Sequence, residues 1–143
     1  QVAIGWAVTA YEEVPAVTLV TRGAAIVPGV VTAGLQSRVK RFVALDAPLT
    51  LVSERRYGEG QMGAILPGML SDLGDIGHLV SLVTLRPTWI VAGKNMQGED
   101  LEREQLIESL AYAASIYKIN QSRELHVMLA DGRKDWLRRV FAS

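Results

Sequence analysis

The sequence predicts an α/β fold, a mixed β-sheet with antiparallel N-terminal strands followed by β-α-β-α units. Three observations predict it. Two apolar runs rich in β-formers, at 2–10 and 16–21, lie close enough together for a hairpin. Three further runs, at 39–46, 88–92 and 124–130, are short and largely apolar, as strands covered on both faces are. Around them apolar residues recur at helical spacing, so helices pack on the sheet.

The elements follow in order. VAIGWAVTA (2–10) reads as the first strand, and Glu12-Glu13-Val14-Pro15 turns the chain into AVTLVT (16–21). Residues 24–35 have two readings. A strand over 24–31 is broken at Pro28-Gly29, or Pro28 opens a short helix through Arg38. VKRFVALD (39–46) is a buried strand that Ala47-Pro48 ends, and 49–56 continues extended. From Met62 the apolar positions 62, 65, 66, 69, 70, 73, 76, 80 and 83 are helical, and Pro67-Gly68 splits them into two pieces. TWIVA (88–92) is the next strand, and 93–100 a loop. Asp100 then serves as an N-cap, with Glu102 in the first turn. Leu106, Ile107, Leu110, Ala113, Ala114 and Tyr117 line that helix's apolar face. After the strand at 124–130, Asp131 caps a last helix whose Trp136, Leu137, Val140 and Phe141 face inward.

Composition narrows the chemistry. The 143 residues, 49% hydrophobic and 21% charged, make a single domain over 1–143 with enough chain for a core. The absence of cysteine excludes disulfides, thiolate metal sites and thiol catalysis. With only His78 and His126, a multi-histidine metal site is not expected, and both read as structural. Fifteen cationic and fifteen acidic residues cancel, so whole-surface attraction to nucleic acid or anionic lipid is not expected. No apolar run reaches the roughly 18 residues of a membrane span, and the first residues do not resemble a signal peptide. The expectation is a soluble, cytoplasmic domain without a membrane partner.

The residues that carry chemistry are carboxylates. Asp46 closes the strand FVALD, where a side chain projects from the carboxyl edge of a sheet and can meet a ligand or metal; alternatively it caps a turn before Pro48. Glu104 and Glu108 are four apart and share a helix face, beside the apolar stripe. Asp131 ends LHVMLAD as Asp46 ends its own strand, or caps the following helix. Carboxylates from strand ends and a helix are the donor set for Mg²⁺, with Asp46 and Glu108 as ligands and Glu104 or Asp131 as a third. Gly58-Glu59-Gly60-Gln61-Met62-Gly63 matches the dinucleotide pattern GxGxxG, but it does not follow a buried strand, and a glycine-rich loop is the competing reading. Basic residues gather locally, at Arg22, Arg38, Lys40, Arg41, Arg55 and Arg56, and again at Arg133, Lys134, Arg138 and Arg139. Either group can meet nucleic-acid phosphates despite the neutral total.

IGWAVTA (4–10), AVTLV (16–20) and FVALDAPLTL (42–51) resemble the ribonuclease-H-like superfamily, and within it a predicted-nuclease family with a "GWAV … IDAPL" pattern. That resemblance implies that Asp46 is the acid after the central strand and that Glu104 and Glu108, in EQLIESLAYAASIY, stand for the helix acids. TWIVAGKNMQGED (88–100) with LHVMLADGRKDWLRRVF (125–141) is similar to the YqgF-type Holliday-junction-resolvase-like family. There Asp131 matches an acid, Gly132 replaces a Glu, and Lys94 and Asn95 replace part of a loop. The two alignments give one role to different strands. Both families place an essential Asp on a strand ahead of the one seen here, so the resemblance implies a chain that lacks its first strand, as a fragment or with a degenerate site. The expectation is a Mg²⁺-dependent nuclease domain acting on nucleic-acid phosphodiesters. The alternative is a non-catalytic interaction or assembly domain that binds a protein partner or a second copy.

Overall fold

The computed structural model describes residues 16–59 and 65–142. The run at 2–10, Gly60 and Gly63 lie outside the described residues, and with them the proposed first strand and most of the GxGxxG pattern.

Four strands form one sheet in chain order: β1 (Val17–Arg22), β2 (Val39–Leu45), β3 (Thr88–Val91) and β4 (Leu125–Met128). Every neighbouring pair is parallel. This corrects the expected mixed sheet with antiparallel N-terminal strands. The physical reason lies in residues 24–35. Of their two readings they take the helical one, as α1 (Ile26–Leu35), which carries the chain back so that β2 runs alongside β1 in the same direction. Pro28 is the third residue of α1, where an N–H has no partner inside the helix, so its ring removes no hydrogen bond. Lys40 bulges from β2, since Val17 faces Val39 and Thr18 faces Arg41.

The two faces of the sheet bury different sets. Phe42, Ala44 and Ile90 face the crossover helices. These are α1, the short α2 (Met69–Asp72) and α3 (Ile76–Val80), then α4 (Arg103–Ser109) and α5 (Ala111–Ile119), and they supply Val30, Met69, Ile76, Leu106 and Ala113. Val43, Trp89, Val91 and Met128 face the other way, onto Trp136 and Val140 of α6 (Trp136–Phe141). All four residues of β3 are buried, which is why TWIV has no polar alternation. On that second face the Trp89 and His126 rings stack with centroids 4.2 Å apart. Tyr117 closes the base of the helical layer by donating to the Val83 carbonyl at 3.2 Å, and burial pushes its phenol up to about 12. No helix among the described residues is long and apolar enough to cross a membrane.

Local chemistry sets the boundaries. The helical piece expected ahead of Pro67-Gly68 begins at Met62, outside the described residues; after Pro67-Gly68 come α2, α3 and a 3₁₀ turn (Ser81–Val83) before β3. Asp75 ties the segment after β2 to α3. Its carboxylate accepts from the Leu51 N–H (2.7 Å), the Thr50 hydroxyl (2.6 Å) and the Ile76 N–H (2.8 Å). Asp100 does not cap α4. Glu102 holds that position, its N–H donating to Gln105 Oε1 at 3.0 Å. Asp131 does not cap the last helix either. It lies within a 3₁₀ turn (Ala130–Lys134), and Asp135 precedes α6.

Helix α1 sits close on the sheet because residue 29 has no side chain. A Cβ there would lie 2.3 Å from Thr21 Cγ2 and 3.2 Å from a Phe42 ring carbon. Gly29→Ala is expected to destabilise the domain by about 1–3 kcal/mol through overpacking, read as a lower urea midpoint with an unchanged slope.

Candidate functional site

The carboxyl ends of all four strands lie along one rim, and each strand ends in, or is followed within a few residues by, a charged side chain: Arg22, Asp46, Lys94 and Arg133. The backbone extends the sheet slightly past its strands here. Asp46 N–H donates to Val91 O at 3.0 Å, and Ala92 N–H to Met128 O at 2.9 Å. Both residues are in the left-handed region, Asp46 at φ 49° and Ala92 at φ 54°. Asp adopts it more readily than most residues, whereas Ala gains nothing there. Lys94 bridges to Pro48 on one side and Asp100 on the other. Its N–H donates to Ala47 O at 2.8 Å, and Leu101 N–H donates to Gly93 O at 2.9 Å. The 94–100 loop is therefore a backward-folded continuation of the sheet, and it delivers Asp100 to the rim.

Five side chains meet there. Arg22 Nε donates to Asp46 Oδ2 at 2.9 Å, and Arg133 Nε donates to Asp46 Oδ1 at 2.6 Å. Arg133 then reaches Asp100 with both terminal nitrogens, Nη1 to Oδ2 at 3.1 Å and Nη2 to Oδ1. Lys94 Nζ donates to Asp100 Oδ1 and to Gly98 O, each at 2.9 Å. One guanidinium thus spans two carboxylates, the bidentate geometry in which arginine binds most strongly. The Asp46 side chain is 14% exposed and that of Arg22 78%. Hydrogen bonds from Arg133 and then Lys94 hold the Asp100 carboxyl below its ordinary value, and the bond to Asp100 raises Arg133 further above its own. Three cations face two carboxylates, leaving a surplus of one positive charge around an open cleft of about 430 Å³, lined also by Gly23.

The other expected residues lie elsewhere. Glu104 is exposed on the first turn of α4. Glu108 lines a different cleft, with Asp75, His78 and Tyr112. Asp131 lines a third, beside β4. The four carboxylates are not brought together. Among the described residues, no three Asp, Glu or His side chains gather into a group that could hold a metal ion. Both oxygens of Asp46 are taken by guanidinium groups. This donor set does not fit the Mg²⁺ arrangement that the resemblance implies. The basic stretch is divided too. Arg38, Lys40 and Arg41 stand at the start of β2, on the opposite rim, and Arg55 is engaged by Glu99 at 2.7 Å. Gly58 follows an irregular segment, and its N–H donates to Met96 O, so no strand leads into the glycine pattern.

Two members of the cluster carried no such role in the sequence reading, Lys94 and Asp100. Scanning the residues after each strand for charge would have found Lys94, and its cross-strand neighbour is Asp100. Compared with known proteins, the chain matches no family model, no curated protein and no solved structure.

Because the Asp100 carboxyl is held below its ordinary 3.8, the folded chain binds fewer protons there than the unfolded one. Its contribution is complete above that value and is lost as pH falls through the lowered one. The stability difference between wild type and Asp100→Asn should stay constant above pH ~5 and close on further acidification. A urea series at several pH values measures it.

Proposed function

We propose that this α/β domain binds a phosphate-bearing ligand of the nucleic-acid class at the carboxyl rim of its sheet, through Arg22, Lys94 and Arg133. The observation that carries the reading is the uneven charge of the rim, three cations against two carboxylates at one open cleft. Arg22 spends only Nε on Asp46, and both its terminal nitrogens have no partner among the described residues. A guanidinium edge of that kind matches two phosphate oxygens. Gly23 begins the turn that leads into α1, and that turn carries no acidic residue, so the positive end of the helical segment adds to the field. Parallel α/β sheets bind ligands at this edge for the same reason. Asp46 and Asp100 keep Arg133 and Lys94 in place, so few rotamers are lost on binding.

The footprint is short: Arg38, Lys40 and Arg41 stand on the opposite rim, and Arg55 is paired with Glu99. A fluorescent single-stranded 12-mer should bind with a salt slope corresponding to about two or three phosphates. Arg22→Ala should weaken binding about tenfold and lower that slope by about one, measured by anisotropy. Equal binding by wild type and variant, or no salt dependence, would reject the site.

A further inference from the structure

We propose that the cavity between α4, β4 and α6 receives one unstacked guanine-type base of the ligand whose phosphate Arg22, Lys94 and Arg133 hold; this rests on the preceding reading of the rim. The cavity encloses about 280 Å³, close to the lower end of small-molecule pockets, roughly 300 Å³, and suited to a single base rather than a pair. Leu106, Ile107, Val127, Met128 and Leu129 are its apolar lining residues, within a lining that is polar overall.

Beside these residues stand Arg103, Arg139, Asp131 and Asp135. Two acids and two arginines line one small space, yet none of the four side chains has an ion pair or hydrogen bond among the described residues. A ligand that engages both kinds must offer donors to a carboxylate and acceptors to a guanidinium. Guanine does: N1–H and the N2 amino group form a parallel donor pair for a carboxylate, and O6 with N7 form the acceptor pair for a guanidinium. Adenine sets an acceptor where guanine sets N1–H, which a carboxylate repels.

The cavity and the rim share a wall. Asp131 and Gly132 line the cavity, and Arg133, the next residue, with Cα atoms about 3.8 Å apart, lines the rim cleft. Arg103 likewise follows three residues after Asp100, which Arg133 grips. Gly132 is fitted to this wall. A Cβ there would lie 2.6 Å from Met128 Cε and 3.1 Å from Met128 Cβ, against another lining residue.

Calorimetry with guanosine 5′-monophosphate, adenosine 5′-monophosphate, ribose 5-phosphate and guanosine tests the proposal. The guanine nucleotide should bind at least tenfold more tightly than ribose 5-phosphate and at least fivefold more tightly than the adenine nucleotide. Asp131→Asn, at an exposed position that should leave the fold intact by circular dichroism, should erase both margins and leave ribose 5-phosphate unchanged. Arg22→Ala should weaken both phosphates by the same factor. Equal binding of guanosine nucleotide and ribose 5-phosphate overturns the base site while the rim site stands. Equal binding of the two nucleotides overturns the choice of guanine. Guanosine binding as tightly as its nucleotide upholds the cavity and overturns the rim; no binding by any probe overturns both.

Discussion

Parallel strands cannot be joined by tight turns, and that constraint arranges the rest of this chain. Each of the first three strands is followed by a crossover long enough to return to the starting end, so helices accumulate on one face and all carboxyl ends fall on one rim. The crossovers need close packing, which Gly29 supplies by letting α1 lie against Thr21 and Phe42. The second face is covered after the last strand, by Trp136 and Val140 of α6. The rim thus inherits side chains from four separate connections, which is how residues as distant as 22 and 133 come to share Asp46.

The electrostatics of the rim follow from sharing. Asp46 is largely buried and needs compensation, since an unpaired carboxylate away from water is expensive. Two guanidinium groups provide it, and Arg133 extends the compensation to Asp100. The arrangement uses the acids as struts for the cations, and the exposed member, Arg22, keeps donors to spare. The backbone contributes as well. The left-handed turn at Asp46 directs the chain off the end of β2 while its N–H stays in the ladder with Val91.

β2, β3 and β4 were readable because they are short and largely apolar, with all of β3 buried; the parallel direction of β1 against β2 was not. A short interval between 2–10 and 16–21 favours a hairpin by local reasoning, and Pro28-Gly29 disguised the crossover helix that sets β1 and β2 parallel. A proline in the first turn and a glycine chosen for packing look like breakers when only their intrinsic preferences are weighed. Asp46 was readable at the rim because it directly ends an apolar run. Asp100 was not, because its role depends on Arg133, 33 residues away, and its local setting before a helix imitates a cap. Glu104, Glu108 and Asp131 share charge with Asp46 but not location, and helical spacing alone carries no information on which cleft a carboxylate joins.

The sequential order of the strands also fixes when the rim comes into being. Every strand pairs with its neighbours in the chain, so the sheet can grow by adding one crossover unit at a time, each closing a loop of modest length. The charged cluster is different. It joins the end of the first strand to the segment after the fourth, and apart from Lys94 and Asp100 its paired residues are separated by 24 to 87 positions. It is complete only when the sheet is complete, so partly folded forms carry the core but not the site. Activity at this rim would therefore report on the last stage of folding, and a chain that stalls with three strands docked would be compact yet functionally silent.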